Sequence, residues 1–303
     1  MVYPLSFWIG FHALIIFLLA MDLTVSSKRT SPLKIPSALW MSGYWIALAL
    51  LFNGFIYLSF GKEPAIQFFT GYLLEKSLSV DNLFVFLMLF THFKIPFKDQ
   101  HRVLFWGVLG AIVFRMAFIL SGVYFISRFH WILYPLGALL CVTGIRFAIQ
   151  KRTQEQFEES RLLTWIQRWI PYSPRRKEGH FFIQEKGKWK ATPLFVALIF
   201  IEITDIIFAV DSVPAIFAIT LEPFIIYTSN IFAILGLRSL YFALAKSLEK
   251  LQYLHFGLAA ILIFIGFKMI FSAWIAIPIL LSLGVIVGIL AVTVILSLQK
   301  IHK

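Results

Sequence analysis

The chain has 303 residues, of which 60% are hydrophobic, 17% aromatic and only 14% charged. A soluble domain carries roughly a quarter charged residues, so this balance excludes that class and indicates an integral membrane protein. The formal net charge of +12 is therefore read as loop charge that sets topology, with no nucleic-acid partner expected.

Nine apolar stretches long enough for a bilayer core of about 30 Å follow in chain order. They are predicted at 3–21, 37–60, 65–91, 103–126, 131–149, 193–219, 223–245, 254–272 and 275–298. The first has no basic residue ahead of it and no small-residue cleavage site, and is expected to be a retained helix. Lys and Arg alternate between its loops. Twenty fall after spans one, three, five, seven and nine, and only Lys62 and Arg128 fall on the other side. This asymmetry predicts an N-terminus outside and a cytoplasmic C-terminus, and the location expected is the plasma membrane. Ten of the twenty lie between Lys151 and Lys190, in the one sizeable polar loop. There "RLLTWIQRWI" (161–170) has helical apolar spacing, which fits either an amphipathic helix on the membrane face or a basic loop that enforces topology. The lone Cys141 provides neither a disulfide framework nor a zinc spacing.

Two stretches break the apolar rule in the same way. "EKSLSVDN" (75–82) aligns with "DIIFAVDS" (205–212), pairing Glu75 with Asp205, Asp81 with Asp211 and Asn82 with Ser212. Downstream, Arg115 corresponds to Arg238 and Arg146 to Lys268. Spans three to five thus recur as spans six to eight, and three being odd, the copies enter the membrane from opposite sides. The fold expected is an all-α membrane protein of about nine transmembrane helices with an inverted three-plus-three repeat. Its divisions are 1–64 (two N-terminal spans), 65–149 (first repeat), 150–192 (basic loop), 193–272 (second repeat) and 273–303 (last span and tail).

An ionisable group near the bilayer centre costs at least about 2.5–3.5 kcal/mol on insertion scales, so Glu75, Asp81, Glu202, Asp205 and Asp211 call for a bound cation, a wet path or partner cations. At 100° per residue, Glu75, Ser79 and Asn82 share one stripe, as do Asp205 and Ser212 with Glu202 about 60° away. Asp81 and Asp211 lie about 120° off these stripes, so they reach a common centre only through an irregular helix or one enclosed on two sides. Pro214 crowds the carbonyl of Val210 and predicts such an irregularity beside Asp211. The donors are all oxygen, from Glu75, Asp81, Asn82, Glu202, Thr204, Asp205, Asp211 and Ser212, which favours Mg²⁺, Ca²⁺ or Mn²⁺. The competing reading is that Arg115, Arg146, Arg238 and Lys268 neutralise the acids in structural ion pairs.

"FTGYLLEKSLSVDNLFVF" (69–86) and "IEITDIIFAVDSVPAIFAIT" (201–220) resemble the two signatures of the TerC family, named for tellurium resistance, and most closely its Alx-type manganese exporters. "DQHRVLFWGVLGA" (99–111), "LGLRSLYFAL" (235–244) and "LEKLQYLHFGLA" (248–259) extend the likeness over most of the chain. The resemblance implies Mn²⁺ as transported substrate, leaving the cytoplasm in exchange for protons, with no prosthetic group and no enzymatic activity. It maps the metal site onto Glu75, Asp81, Glu202, Asp205 and Asp211, with Asn82 and Ser212 as neutral ligands. Asp81 and Asp211 are assigned to ligation and Glu202, opposite Tyr72 in the first copy, to proton coupling. Other members imply an alternative, a membrane platform for tellurium resistance or for metal loading of exported proteins, with partners docking on 150–192. An intramembrane aspartyl protease would need a Gly-x-Gly-Asp stretch, which is missing. Lys268 as a retinal lysine is outweighed by its match to Arg146.

Overall fold

The computed structural model describes residues 3–27, 35–149, 171–173, 179–185, 187–244, 254–272, 274–275 and 277–299. Among these, ten α-helices and one β-hairpin follow in order. They are α1 (Leu5–Ser27), α2 (Ile35–Phe60), α3 (Lys62–His92), α4 (Phe97–Arg128), α5 (Leu133–Ile149), β1 (Phe182–Glu185), β2 (Lys188–Ala191), α6 (Pro193–Phe217), α7 (Pro223–Leu235), α8 (Leu237–Leu244), α9 (Leu254–Ile270) and α10 (Ile279–Gln299).

By length and hydropathy, seven helical stretches among the described residues can cross a bilayer: Leu5–Asp22, Ser37–Phe60, Phe97–Arg128, His130–Ile149, Pro193–Phe217, Pro223–Ala243 and Ile279–Ser297. The predicted spans at 65–91 and 254–272 are helical but differ in kind. The first, α3, is 31 residues long yet carries Glu75, Lys76 and Asp81, whereas α9 is apolar but has only 17 residues.

The helix ends follow from local chemistry. Pro193 and Pro223 open α6 and α7, where a missing N–H costs nothing and the fixed φ suits a first turn. α3 stops where Lys94 adopts φ 47°, letting the Ile95 amide reach back to the Phe90 carbonyl at 2.8 Å. That is a left-handed cap made without glycine. Pro96 then directs the chain into α4.

α7 occupies the centre. Every residue from Phe224 to Leu235 is buried, with α3, α4 and α2 packed around it. Such a helix needs apolar residues on all sides, which is how its sequence reads apart from Thr228, Ser229 and Asn230. α4 lies against α6, α3 against both α6 and α7, and α5 against α9. The α5–α9 contact is backbone-close. A Cβ on Gly266 would lie 2.6 Å from the Gly137 carbonyl oxygen, and one on Gly144 would lie 2.8 Å from that of Ala259. Small residues bring membrane helices together because lipid supplies no hydrophobic drive.

The structure departs from two expectations in detail. The predicted span at 223–245 is present over Pro223–Ala243 but is built from two helical pieces, α7 ending at Leu235 and α8 restarting after Gly236. Lys76 of α3 explains how the junction is tolerated: its ammonium donates to the Ala233 carbonyl at 3.1 Å, at the negative end of α7. Pro214 does not break α6, which stays helical to Phe217. It lies in the last turn, so a single backbone bond is removed among well-packed neighbours. The segment 161–170, read as an amphipathic helix or a basic loop, lies outside the described residues. The same loop ends in the antiparallel β1–β2 hairpin, which runs directly into α6 and is tied to α4 by Arg102 donating to the Gly179 carbonyl at 2.6 Å.

Candidate functional site

The acids of α3 and α6 meet at an arginine from α4. Arg115 is completely buried, as are Glu75 on α3 and Asp205 on α6 at 1% and 6% exposure. Its Nε and Nη2 donate to Oδ2 and Oδ1 of Asp205 at 3.1 and 3.0 Å, a fork that matches the carboxylate plane. Nη1 donates to Glu75 Oε1 and also to Asn230 Oδ1 at 2.5 Å, while Asn230 Nδ2 returns a bond to Glu75 Oε2 at 3.3 Å. The central helix α7 thus enters the site through Asn230. Each of the three charges is held by opposite charge and by hydrogen bonds, the condition for burying them at all.

Beside this cluster is a cavity of about 20 Å³, lined by Glu75, Asn82, Arg115, Asp211 and Ser212 together with Leu78, Phe147, Phe208 and Leu262. That is room for a water-sized occupant among polar groups and apolar side chains. Thr143 of α5 donates to Asp211 Oδ1 at 3.0 Å. Among the described residues the buried hydroxyls of Ser79 and Ser212 have no hydrogen-bond partner.

The structure therefore brings Glu75, Asn82, Asp211 and Ser212 to one cavity and ties Asp205 to it through Arg115. Glu202 stands apart. Its carboxylate packs on Gly110 of α4, where a Cβ would displace it, and its buried Oε2 has no hydrogen-bond partner among the described residues. Thr204 turns back to the Phe200 carbonyl at 2.5 Å rather than into the cavity. Asp81 is on α3, and its side chain lies outside the described ones. Among the described residues no three Asp, Glu, His or Cys side chains form a ready-made metal cluster, and Arg115 bridges Glu75 and Asp205.

Helical spacing alone did not identify Asn230, Thr143 or the central place of Arg115. The available signals were an Asn amid "YTSNIFAIL" (227–235) and a lone Arg in "VFRMAF" (113–118), both at odds with their apolar surroundings.

Of the other basic residues weighed as neutralising partners, Arg238 pairs with Asp22, binding α8 to α1, and Lys268 donates to Ser282 at 2.9 Å. Arg146 is exposed. Among the described residues, Arg115 alone of these bonds to the repeated acids.

Comparison with known proteins agrees with the motif reading. The chain is 47% identical over 293 residues to an uncharacterized membrane protein of Myxococcus xanthus, covering 97% of this chain and 92% of that one. It is 44% identical over 299 residues to a protein of Escherichia coli K12 provisionally named membrane-bound redox modulator Alx, covering 96% and 93%. A Salmonella typhi protein with the same name is 43% identical over 305 residues, covering 98% and 95%. These names describe no enzyme. No solved structure matches the chain. The profile of the integral membrane protein TerC family matches residues 60–303, and the chain belongs to that family.

Proposed function

We propose that the chain is a secondary transporter that exports a hard divalent cation, Mn²⁺ foremost, from the cytoplasm in exchange for protons. The observation that carries this reading is the convergence, between membrane helices, of acids from both repeated motifs on one small cavity. Glu75, Asn82, Asp211 and Ser212 line it. Their donors are oxygen only, which suits Mn²⁺, Mg²⁺ or Ca²⁺ and not a thiol-seeking metal.

The inverted repeat is part of the proposal, and the packing supports it. Exchanging α3 with α6 and α4 with α7 turns the α3–α7 contact into the α6–α4 contact, and both are extensive. The same operation exchanges Gly144 against Ala259 with Gly266 against Gly137 across α5 and α9. Two halves related in this way can rock about a site near the membrane midplane. With nine crossings, the basic 150–192 loop and the C-terminus face the cytoplasm.

Protons compete with metal for carboxylates, since a carboxylate must be deprotonated to ligate. Acid outside therefore displaces the ion there, and the site returns protonated. Asp211 is proposed as a ligand, with Asp81 as its counterpart. Glu202, one turn from Asp205 and without a hydrogen-bond partner for its buried oxygen, is proposed to carry the coupled proton. The relatives' redox name meets a single thiol here, Cys141, packed on Gly266 between α5 and α9, and transport is the reading we favour.

The test is Mn²⁺ uptake into inside-out vesicles with the lumen acidified. Gradient-driven uptake by wild type, lost in Asp81→Asn and Asp211→Asn at matched protein level, is the expected result. Well-folded wild type that moves no Mn²⁺ would refute it.

A further inference from the structure

Export as proposed leaves Arg115 without a task, yet it holds the two acids that begin the repeated motifs. Four of its five N–H groups are committed, two to Asp205, one to Glu75 and one to Asn230. A divalent cation asks for the same oxygen lone pairs. While the guanidinium sits there, Glu75 and Asp205 present only part of their ligating capacity, and Arg115 itself forms a wall of the cavity. An ion entering that cavity meets a positive charge fixed on α4.

Resting on the export reading, we infer that Arg115 is a tethered cation that competes with the transported ion for Glu75 and Asp205. It neutralises them before the ion arrives, yields when the ion binds, and returns to drive it off. The arrangement keeps two buried carboxylates from facing each other uncompensated, a state whose cost would otherwise stall the cycle. Asn230 supplies the neutral acceptor that Nη1 keeps while the carboxylates turn to metal. Lysine would serve poorly, since an ammonium lacks the planar fork that engages Asp205 through two nitrogens.

The experiment compares purified full-length wild type with Arg115→Gln and Arg115→Lys. It measures Mn²⁺ binding by electron paramagnetic resonance titration, thermal unfolding with and without Mn²⁺, and Mn²⁺ flux in proteoliposomes. Removing a like charge from the site should tighten Mn²⁺ binding by about tenfold or more in Arg115→Gln, while flux falls. The variant should be fragile without metal and recover with it, because the ion takes over the task of neutralisation. A purely structural ion pair predicts fragility that Mn²⁺ does not relieve, and that result would overturn the inference. So would folded Arg115→Gln with unchanged or weaker binding. If Arg115→Gln cannot be recovered, Arg115→Lys decides: binding several-fold tighter than wild type supports competition, and no gain refutes it. Wild type that binds no Mn²⁺ removes the export reading and this inference together. Binding by wild type with no gain in either variant removes the inference alone.

Discussion

The hydroxyl of Thr143 on α5 donates to Oδ1 of Asp211 on α6 at 3.0 Å. Asp211 lies about 120° round the helix from Asp205, which is itself bonded to Arg115 of α4. α6 is therefore enclosed on two sides, and both of its motif aspartates face protein from a helix that stays continuous.

Thr143→Val should therefore leave the fold intact and weaken Mn²⁺ transport several-fold, because Asp211 loses the bond that aims it. The loss corresponds to about 0.5–1.5 kcal/mol, the net worth of one hydrogen bond. Thr143→Ser should restore flux. Initial rates in vesicles at matched protein level check this, and full activity in Thr143→Val would mean that the bond does not orient Asp211.

Truncating one partner of the central ion pair should cost much more. Glu75→Ala leaves Arg115 and Asn230 each short of a partner in a site where all are buried. Breaking a buried pair in this way costs roughly 3–5 kcal/mol, and the loss should appear as a lower unfolding temperature in detergent. A change under 1 kcal/mol would show that water reaches the cluster and screens it.

Glu202→Gln should separate metal movement from proton coupling. Exchange of Mn²⁺ for Mn²⁺ across a vesicle membrane without a pH gradient should continue, while accumulation driven by that gradient should fall to background. An unchanged response to the gradient assigns the proton elsewhere. Gly110→Ala provides an independent check, since its Cβ would occupy the position of the Glu202 carboxylate. It should reproduce the coupling defect without removing a charge.

At the α5–α9 contact, Gly266→Ala places a methyl 2.6 Å from the backbone oxygen of Gly137, which cannot rotate away. Overpacking of this kind costs typically 1–3 kcal/mol, so reduced thermal stability is expected. Gly284→Ala, with open space around it, should behave as wild type and serves as the control.

Much of the molecule was legible one residue at a time. Hydrophobic runs mark helices because a backbone in lipid must bond to itself, and acids in those runs mark a site because burying charge without a purpose is costly. The repeated motif singles out Glu75, Asp81, Asn82, Glu202, Asp205, Asp211 and Ser212, and the structure places Glu75, Asn82, Asp211 and Ser212 around one cavity. That reasoning failed where the outcome depended on what lay across the gap. Pro214 looked like a break, but its neighbours hold the helix. The stretch around Gly236 looked continuous, but Lys76 from another helix accepts its interruption. Spacing cannot tell which cation faces which acid, because opposite charges separated by 90 residues in the chain meet only after packing, as Arg115 and Asp205 do. Sequence by itself determined that carboxylates are kept inside the membrane. Only the tertiary structure decided that an arginine stands among them, since the partner of a buried charge is whatever the neighbouring helices bring within hydrogen-bond reach.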